Sequence, residues 1–355
     1  MNARTVRNAL VVSTLALVMV FGSGASAASR TSAPVQFPRF LWGAWIGDQF
    51  TGKQPPWDWR AVTDFQAKNT GGRHISVLHW GVGTPWDHDF NYWRGALDLA
   101  RDGGVLSVVD MSTGTVSLRA IAKGAYDKAL QTWATEAAAW GQPFLLRFDF
   151  EMNGGWFPWG TTSSNKNTPA DFVAAWRHVH QIFTSAGATN VRWVWCPNIV
   201  PDHGPTGLAA LYPGDSYVDW TCTDGYNFGN PWKSFTKIYA RTYAQLVRIA
   251  PTKPILVGEV GSIEHGGNKA NWITAMFQAL ATRFPHIHGL LWYDVYGTDE
   301  VRHITRAWPI ETSRASSAAF RQGIGSTLAR VCRGLRGISL SYCMGTPVTG
   351  AESRH

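Results

Sequence analysis

The sequence predicts a single-domain (β/α)8 barrel, the TIM-barrel class of α/β proteins. From residue 40 onward, short apolar or aromatic runs alternate with amphipathic stretches of helical spacing, and eight such pairs follow one another. Each pair takes about 30–45 residues, which suits the strand–helix units of a closed parallel barrel. The length of 355 residues fits one large barrel or two ordinary domains, and no linker divides the chain into two.

The order of the elements follows from this alternation. Strands are predicted at residues 40–46, 74–80, 105–111, 144–150, 191–197, 218–224, 255–260 and 289–294, and helices at 57–68, 92–102, 126–140, 169–185, 234–249, 269–284 and 313–324. The alternative is an open doubly wound sheet, which normally carries a glycine-rich phosphate loop after its first strand. Residues 46–49 (IGDQ) follow the first strand here and contain no such motif.

The composition narrows the classes of function. Hydrophobic residues make up 45% and charged residues 16%, which excludes a largely disordered chain. The 19 tryptophans indicate either a very aromatic core or a groove for flat ligands such as sugar rings or bases. The net charge is +8, but the basic residues are scattered apart from a loose group at Arg330, Arg333 and Arg336. No nucleic-acid partner is therefore expected.

Residues 1–27 have the pattern of a secretory signal peptide. Arg4 and Arg7 precede an apolar run of 13 residues (9–21), which is too short to span a bilayer. Residues 25–27 (ASA) match the small-x-small cleavage pattern, so cleavage near Ala27 is expected, with an uncleaved anchor as the alternative. We expect a secreted monomer, not bound to membranes, with a linker at 28–38, the barrel at 39–325 and a C-terminal segment at 326–355.

Export permits disulfides. The four cysteines are Cys196, Cys222, Cys332 and Cys343. Cys332 and Cys343 flank a short basic segment, so we expect this pair to close the C-terminal segment, and Cys196 and Cys222 then pair or remain free buried thiols. No CxxC motif and no His/Cys spacing typical of zinc is present, so neither a metal nor another cofactor is expected.

Two glutamates at the ends of predicted strands are the candidate catalytic residues, because active sites of such barrels lie at the carboxyl ends of the strands. The fourth strand leads into Glu151 and a loop rich in Trp, Gly and Asn. With a period of two, Arg147, Asp149 and Glu151 share one face, and Phe148 and Phe150 share the other. For Arg147 and Asp149, the alternative to a catalytic role is an ion pair between them that only stabilises the barrel.

The seventh strand ends in Glu259, which lies between two glycines, Gly258 and Gly261. Glycines there leave room for a ligand close to the backbone. Two carboxyl groups about 5–5.5 Å apart are what retaining glycoside hydrolysis requires, one protonated and the other ionised. Glu151 and Glu259 are therefore predicted to act together on a glycosidic bond.

With these residues the chain resembles glycoside hydrolase family 26 over roughly residues 40–300. The resemblance lies in Arg147, in 151–160 (EMNGGWFPWG), 193–198 (WVWCPN), 212–220 (YPGDSYVDW), 224–227 (DGYN) and 258–261 (GEVG). It implies a (β/α)8 retaining hydrolase of plant or algal polysaccharides, most often an endo-β-1,4-mannanase. The roles it implies are acid/base for Glu151, nucleophile for Glu259, a hydrogen bond to the nucleophile for Tyr226, and sugar subsites for Trp156 and Trp159.

One departure from the family bears on the substrate. Mannanases of the family usually carry a histidine just before the acid/base glutamate, where this chain has Phe150, so mixed-linkage β-glucan and β-1,3-xylan stay open beside mannan. Further substrate-binding candidates at strand ends are His79, Trp80, Arg147, Asn198 and Trp292. We expect a retaining endo-β-glycanase acting on a polysaccharide, with a non-catalytic carbohydrate-binding barrel or an exo-acting or transglycosylating enzyme as alternatives.

Overall fold

The predicted barrel is confirmed in the computed structural model, in which eight parallel strands close in chain order. The structure describes residues 38–54, 58–201, 207–299 and 304–333, and these residues belong to one compact unit. The predicted signal peptide, nearly all of the linker, and Cys343 lie outside the described residues. No helix in the described ranges is long and apolar enough to cross a membrane.

The barrel strands lie close to their predicted positions. They are β1 Leu41–Ile46, β2 Val77–Gly83, β3 Leu106–Met111, β4 Phe144–Phe148, β5 Val191–Trp195, β6 Trp220–Asn227, β7 Ile255–Ser262 and β8 Ile287–Asp294. The sequence analysis missed an antiparallel hairpin that follows β8, formed by β9 (Tyr296–Asp299) and β10 (Ile304–Ala307). Strands this short carry too little periodic signal to be read from sequence.

The helices surround the barrel. They are α1 Trp59–Phe65, α2 Phe90–Asp102, α3 Leu118–Ala122, α4 Asp127–Trp140, α5 Pro169–Ser185, α6 Phe235–Ile249, α7 Lys269–Thr282 and α8 Arg314–Val331. Helix α1 continues as a π-helical turn, Gln66–Thr70, and 3-10 turns occur at Gly207–Leu211, Asp215–Tyr217 and Ile310–Thr312. Helix α5 matches its prediction at both ends, and its start is fixed because Thr168 and Asp171 form a capping box around Pro169.

The barrel interior is filled in two layers, because side chains along each strand point alternately inward and outward. The layer nearer the amino ends of the strands is apolar and includes Leu145, Val108 and Leu291. Arg147 lies two residues after Leu145 in β4, and Asp110 lies two residues after Val108 in β3. Both therefore also point inward, and both are buried. The second layer is therefore polar, and it forms the floor beneath the carboxyl ends of the strands.

The outward-facing side chains pack against the helices in a core rich in tryptophan. Of the chain's 19 tryptophans, twelve are buried within the described part, so an aromatic core accounts for most of the unusual composition. Trp80 packs against Trp93, and Trp292 contacts Trp272 and Phe320. The prediction that Trp80 and Trp292 bind substrate is therefore wrong, because both rings lie between the barrel and its helices.

Cys196 and Cys222 form a disulfide inside the barrel, at the carboxyl end of β5 and within β6. Of the two states expected for these cysteines, a disulfide or free buried thiols, the structure shows the disulfide. The backbone oxygen of Cys196 also accepts a hydrogen bond from the backbone N–H of Glu151. The bridged strands thus contact the turn that carries one of the two candidate catalytic residues.

A buried lysine attaches the segment after β10 to the barrel. Lys269, at the start of α7, is fully buried, and its ammonium group donates to the backbone oxygens of Ala307, Trp308 and Pro309 and to the hydroxyl of Thr312. Burial lowers the pKa of Lys269 to about 8. The charge is retained at neutral pH by these acceptors, which hold Trp308 in place.

We expect Lys269→Met to lower the free energy of unfolding by about 2–4 kcal/mol, because it leaves buried carbonyls without a donor. Urea denaturation followed by tryptophan fluorescence measures this change. Lys128→Met, at an exposed position of α4, is the matched control and should change stability little. A loss no greater than that of the control would show that the carbonyls find other donors.

Candidate active site

The carboxyl ends of the strands open into a cleft of about 440 Å³, which is within the range of ligand pockets. Both predicted catalytic residues, Glu151 and Glu259, line it. Most other lining residues are aromatic, namely Trp45, Phe150, Phe157, Trp159, Tyr226, Phe228, Tyr293 and Trp308. Asp110 lines the cleft as well, so three carboxyl groups lie among apolar ring surfaces, a combination suited to sugar rings.

The chain turns sharply at the end of β4, and this turn aims Glu151 into the cleft. The strand ends at Phe148, and Asp149 and Glu151 both have positive φ angles, 44° and 54°. Such backbone strain in residues other than glycine is characteristic of functional sites. The backbone N–H of Glu151 donates to the oxygen of Cys196 at 2.7 Å, which anchors the turn to β5.

Because of this turn, two predictions about the end of β4 are wrong: the outward direction of Phe150 and the pairing of Asp149 with Arg147. The alternation of side chains stops at Phe148, so Phe150 does not share the outer face with Phe148 and lines the cleft instead. The centre of its ring lies 4.8 Å from the guanidinium carbon of Arg147. Asp149 does not pair with Arg147, because its carboxylate accepts hydrogen bonds from the backbone and hydroxyl of Thr113. Burial raises the pKa of Asp149 to about 7, with the Thr113 donors opposing the shift.

Glu151 is 6% exposed, and its carboxyl group has two side-chain donors. The Asn198 amide donates to Oε1 at 2.6 Å, and the Trp156 indole donates to Oε2. Burial and then the nearby charge of Glu259 raise the pKa of Glu151 to about 7, against the opposing effect of these donors. A substantial fraction of Glu151 is therefore protonated at neutral pH, as a general acid requires.

Glu259 is aimed into the cleft by an irregularity in β7. The register with β6 shifts so that Gly258 is an extra residue between the pairs Thr223–Val257 and Asp224–Glu259. A Cβ atom on Gly258 would lie 2.4 Å from the Cys222 sulfur, so only glycine fits there. The bulge rotates the strand and directs the next side chain toward the ligand space.

Two donors hold the Glu259 carboxylate. Arg147 Nη1 lies 3.3 Å from Oε1, and the Tyr226 hydroxyl donates to Oε2. Burial and the charge of Glu259 raise the pKa of Tyr226 well above its usual value, so this hydroxyl stays protonated and donates. Such an environment orients a carboxylate for nucleophilic attack.

Arg147 is the centre of the polar layer below the cleft. Its guanidinium group lies 2.6 Å from Asp224, 3.3 Å from Asp110 and 2.8 Å from His79 Nε2. Burial lowers the pKa of Arg147, but the surrounding carboxylates outweigh burial and raise it. Arg147 and His79 are fully buried and do not line the cleft, so the prediction that they bind substrate is corrected: they position Glu259.

Carboxylate oxygens of Glu151, Asp224 and Glu259 all lie within 4.8 Å of one another. This close approach of Glu151 and Glu259 fits the short separation of retaining glycosidases. The three oxygens are also near enough to surround a cation, but Arg147 already supplies positive charge between Asp224 and Glu259.

The other predicted binding residues differ in location. Trp159 lines the cleft, and Trp156 is 59% exposed beside Glu151. Asn198 donates to Glu151 itself, which gives it a positioning role, and its contact with sugar stays a prediction. The sequence analysis missed Trp45, Phe228, Arg306 and Trp308. Strand alternation in β1 could have identified Trp45. Phe228 comes just after the end of β6, and Arg306 and Trp308 lie in and just after the short strand β10, where periodicity gives too little signal.

Known proteins share both the sequence pattern and the fold. The model of "Glycosyl hydrolase family 26" matches residues 60–306. Endoglucanase H of Acetivibrio thermocellus is 32% identical over 291 residues, covering 80% of this chain and 30% of that protein. Mannan endo-1,4-beta-mannosidase A and B of Caldalkalibacillus mannanilyticus is 33% identical over 159 residues, covering 43% of this chain and 28% of that protein. The chain thus spans less than a third of the length of these two relatives.

Two solved structures show the same architecture at lower identity. An endo-beta-1,4-mannanase double mutant of Cellulomonas fimi has a TM-score of 0.61 and 18% identity, covering 80% of this chain and 70% of that one. A GH26 beta-mannanase from Bacteroides ovatus has a TM-score of 0.57 and 16% identity, covering 89% and 94%. These likenesses establish the shared fold.

Proposed function

Because the chain belongs to glycosyl hydrolase family 26, we propose that it is a secreted, monomeric, retaining endo-β-glycanase. The observation that carries this proposal is the pair of carboxyl groups, Glu151 and Glu259, within 4.8 Å of one another in an aromatic cleft. Their surroundings differ, since burial and charge favour a proton on Glu151, whereas Arg147 and Tyr226 donate to Glu259.

The reaction proceeds by double displacement. Glu259 attacks the anomeric carbon while Glu151 gives its proton to the glycosidic oxygen, so the leaving sugar departs as an alcohol and a glycosyl ester forms on Glu259. Glu151, now ionised, takes a proton from a water molecule that attacks the anomeric carbon. The ester bond breaks, Glu259 is released as a carboxylate, and the product keeps the β configuration.

We propose β-1,4-mannan or a related β-glycan as the substrate. Relatives named as mannan endo-1,4-beta-mannosidases support mannan, whereas a relative matched over 80% of this chain is named endoglucanase H. Phe150 presents an apolar ring to the cleft next to Glu151. Mixed-linkage β-glucan is therefore tested beside mannan, together with β-1,3-xylan.

The test is reducing-sugar release by the full chain on mannan, glucomannan, mixed-linkage β-glucan and β-1,3-xylan. Viscosity recorded in parallel separates endo from exo cleavage, because internal cuts lower viscosity before many ends form. Proton NMR of the first product reports its anomeric configuration. Cleavage of one polymer with an initial β anomer is expected. No cleavage of any of the four, or an initial α anomer, would contradict the proposal.

Glu151 also predicts the pH dependence. Because its pKa is about 7 and the protonated form is required, kcat/KM should fall as pH rises above about 7. The Asn198 amide stabilises the ionised form, so Asn198→Ala should raise this pKa and move the basic limb to higher pH, while kcat falls about 10- to 100-fold from lost orientation. The pH profile of kcat/KM measures the shift.

Asn271→Ala, at an exposed position of α7, is the matched control and should leave the pH profile unchanged. A basic limb that stays in place in Asn198→Ala, or moves to lower pH, would show that this limb reports another group.

A further inference from the structure

A second cavity, of about 620 Å³, lies beside the catalytic cleft. Neighbouring residues of β9 separate the two spaces, because Gly297 lines the cleft and Tyr296 lines the second cavity. Gln49 and Tyr296 follow the carboxyl ends of β1 and β8, the edge of the barrel at which the cleft also opens. A ligand that extends from the cleft past Gly297 therefore reaches this cavity.

Aromatic rings form the apolar part of the cavity. Tyr296 is 48% exposed, so one face of its ring is accessible to a ligand in the cavity. Phe50 lines the same space and is fixed by an edge-to-face contact with Phe65 at 6.3 Å. An accessible tyrosine face next to polar groups is a surface on which the apolar CH face of a sugar ring stacks.

The polar part is held in place before any ligand binds. The Glu311 carboxylate accepts from the Gln49 amide at 3.2 Å and from the Asn69 amide at 2.7 Å, so its orientation is fixed. Asp64 and Lys68 lie one turn apart and line the same cavity. Two carboxylates that accept from hydroxyl groups and one ammonium that donates to them match a polyhydroxylated ligand.

We propose that this cavity is a secondary binding site for the neutral β-glycan that the enzyme cleaves. The inference rests on the proposed hydrolase function for the identity of the glycan. Arg60 pairs with Asp64 at 3.5 Å, and Lys68 balances Glu311, so the charges around the cavity nearly cancel and suit a neutral polysaccharide better than an acidic one. A chain held at both sites dissociates more slowly than one held in the cleft alone, because the second contact is intramolecular.

The test measures binding without cleavage, in the full chain carrying Glu259→Gln. Affinity gel electrophoresis with glucomannan and with mixed-linkage β-glucan gives the dissociation constants. Adding Tyr296→Ala should raise the dissociation constant for the bound polymer about 3- to 10-fold, the effect of losing one stacking contact. Lys68→Ala, an exposed helical position that tolerates alanine, should act in the same direction.

The control is Tyr92→Ala, which removes a tyrosine that is 61% exposed on α2 and does not line the cavity. If neither Tyr296→Ala nor Lys68→Ala weakens binding more than Tyr92→Ala does, the second site is wrong. Retardation by alginate that depends on Tyr296 would also overturn it, since that polymer is acidic. Lys68→Ala keeps the test valid if Tyr296→Ala does not fold.

Hydrolysis by the chain with Glu259 intact is assayed separately. Cleavage of the polymer without any effect of Tyr296 refutes only the second site. Binding that depends on Tyr296, together with no cleavage by the intact chain, refutes the hydrolase function instead. The two proposals therefore fail in distinguishable ways.

Discussion

Glu259→Ala lowers kcat on the polysaccharide by about 10⁴- to 10⁶-fold, because it removes the atom that forms the covalent bond to the sugar. The barrel should remain folded, since the side chain lies at the cleft and not in the apolar layer. The measurement is kcat on the polymer identified by the substrate panel, with circular dichroism and the unfolding midpoint recorded on the same sample.

A small anion provides a sharper test of Glu259. Alanine leaves space beside the anomeric carbon, so azide should restore part of the activity and give an α-glycosyl azide. Removing the Glu259 charge also lowers the pKa of Glu151, since that charge raises it in the parent protein. The basic limb of the azide-dependent reaction should therefore lie at lower pH than the limb of the parent.

Glu136→Ala is the matched control for Glu259, because Glu136 is a half-buried glutamate on α4 outside the cleft. It should keep nearly full activity. A Glu259→Ala protein that is folded and keeps more than a tenth of the parent activity would contradict the nucleophile role.

The second large effect is expected at Glu151. Glu151→Ala lowers kcat on the polysaccharide by about 10²- to 10⁴-fold, the usual contribution of a general acid. The loss should be much smaller on an aryl glycoside with an acidic phenol, because that leaving group departs without a proton. The basic limb of the pH profile should disappear, since the group that titrates near pH 7 has been removed.

Both substrates are assayed with the parent, Glu151→Ala and Glu136→Ala proteins, from pH 5 to 9. Equal losses on the polymer and on the aryl glycoside would indicate that Glu151→Ala disturbs the cleft and does not simply remove an acid. A basic limb near pH 7 that persists without Glu151 would assign it to another residue. Asp149, whose pKa is also raised to about 7, is the buried group to examine in that case.

Local patterns predicted the barrel well because they are set by near neighbours. Buried strands and amphipathic helices repeat at fixed periods, so the eight strands and the ends of α5 could be located from sequence. Once the strands were located, Glu151 and Glu259 could be identified as candidate catalytic residues, because ionisable residues at the carboxyl ends of buried barrel strands usually belong to the active site. The same periodicity, carried through β8, would also have turned Trp292 outward and Tyr293 toward the cleft.

Periodicity failed where the backbone left the regular strand. Positive φ angles at Asp149 and Glu151 end the alternation of β4, so Phe150 faces the cleft and Asp149 contacts Thr113. Sequence alone contains no signal for this turn, because neither residue is a glycine. The hairpin after β8 was missed for a related reason, and it brings Arg306 and Trp308 to the cleft.

The sequence by itself determined the fold class, the family resemblance and the two glutamates, since each rests on residues close together in the chain. Only the tertiary structure decided that Arg147 pairs with Asp224 and Glu259, which lie 77 and 112 residues away. It also decided which donors surround each of the two glutamates and where the second cavity lies. Those properties depend on burial and on charges brought together by closure of the barrel, and both of these arise through space between segments distant in sequence.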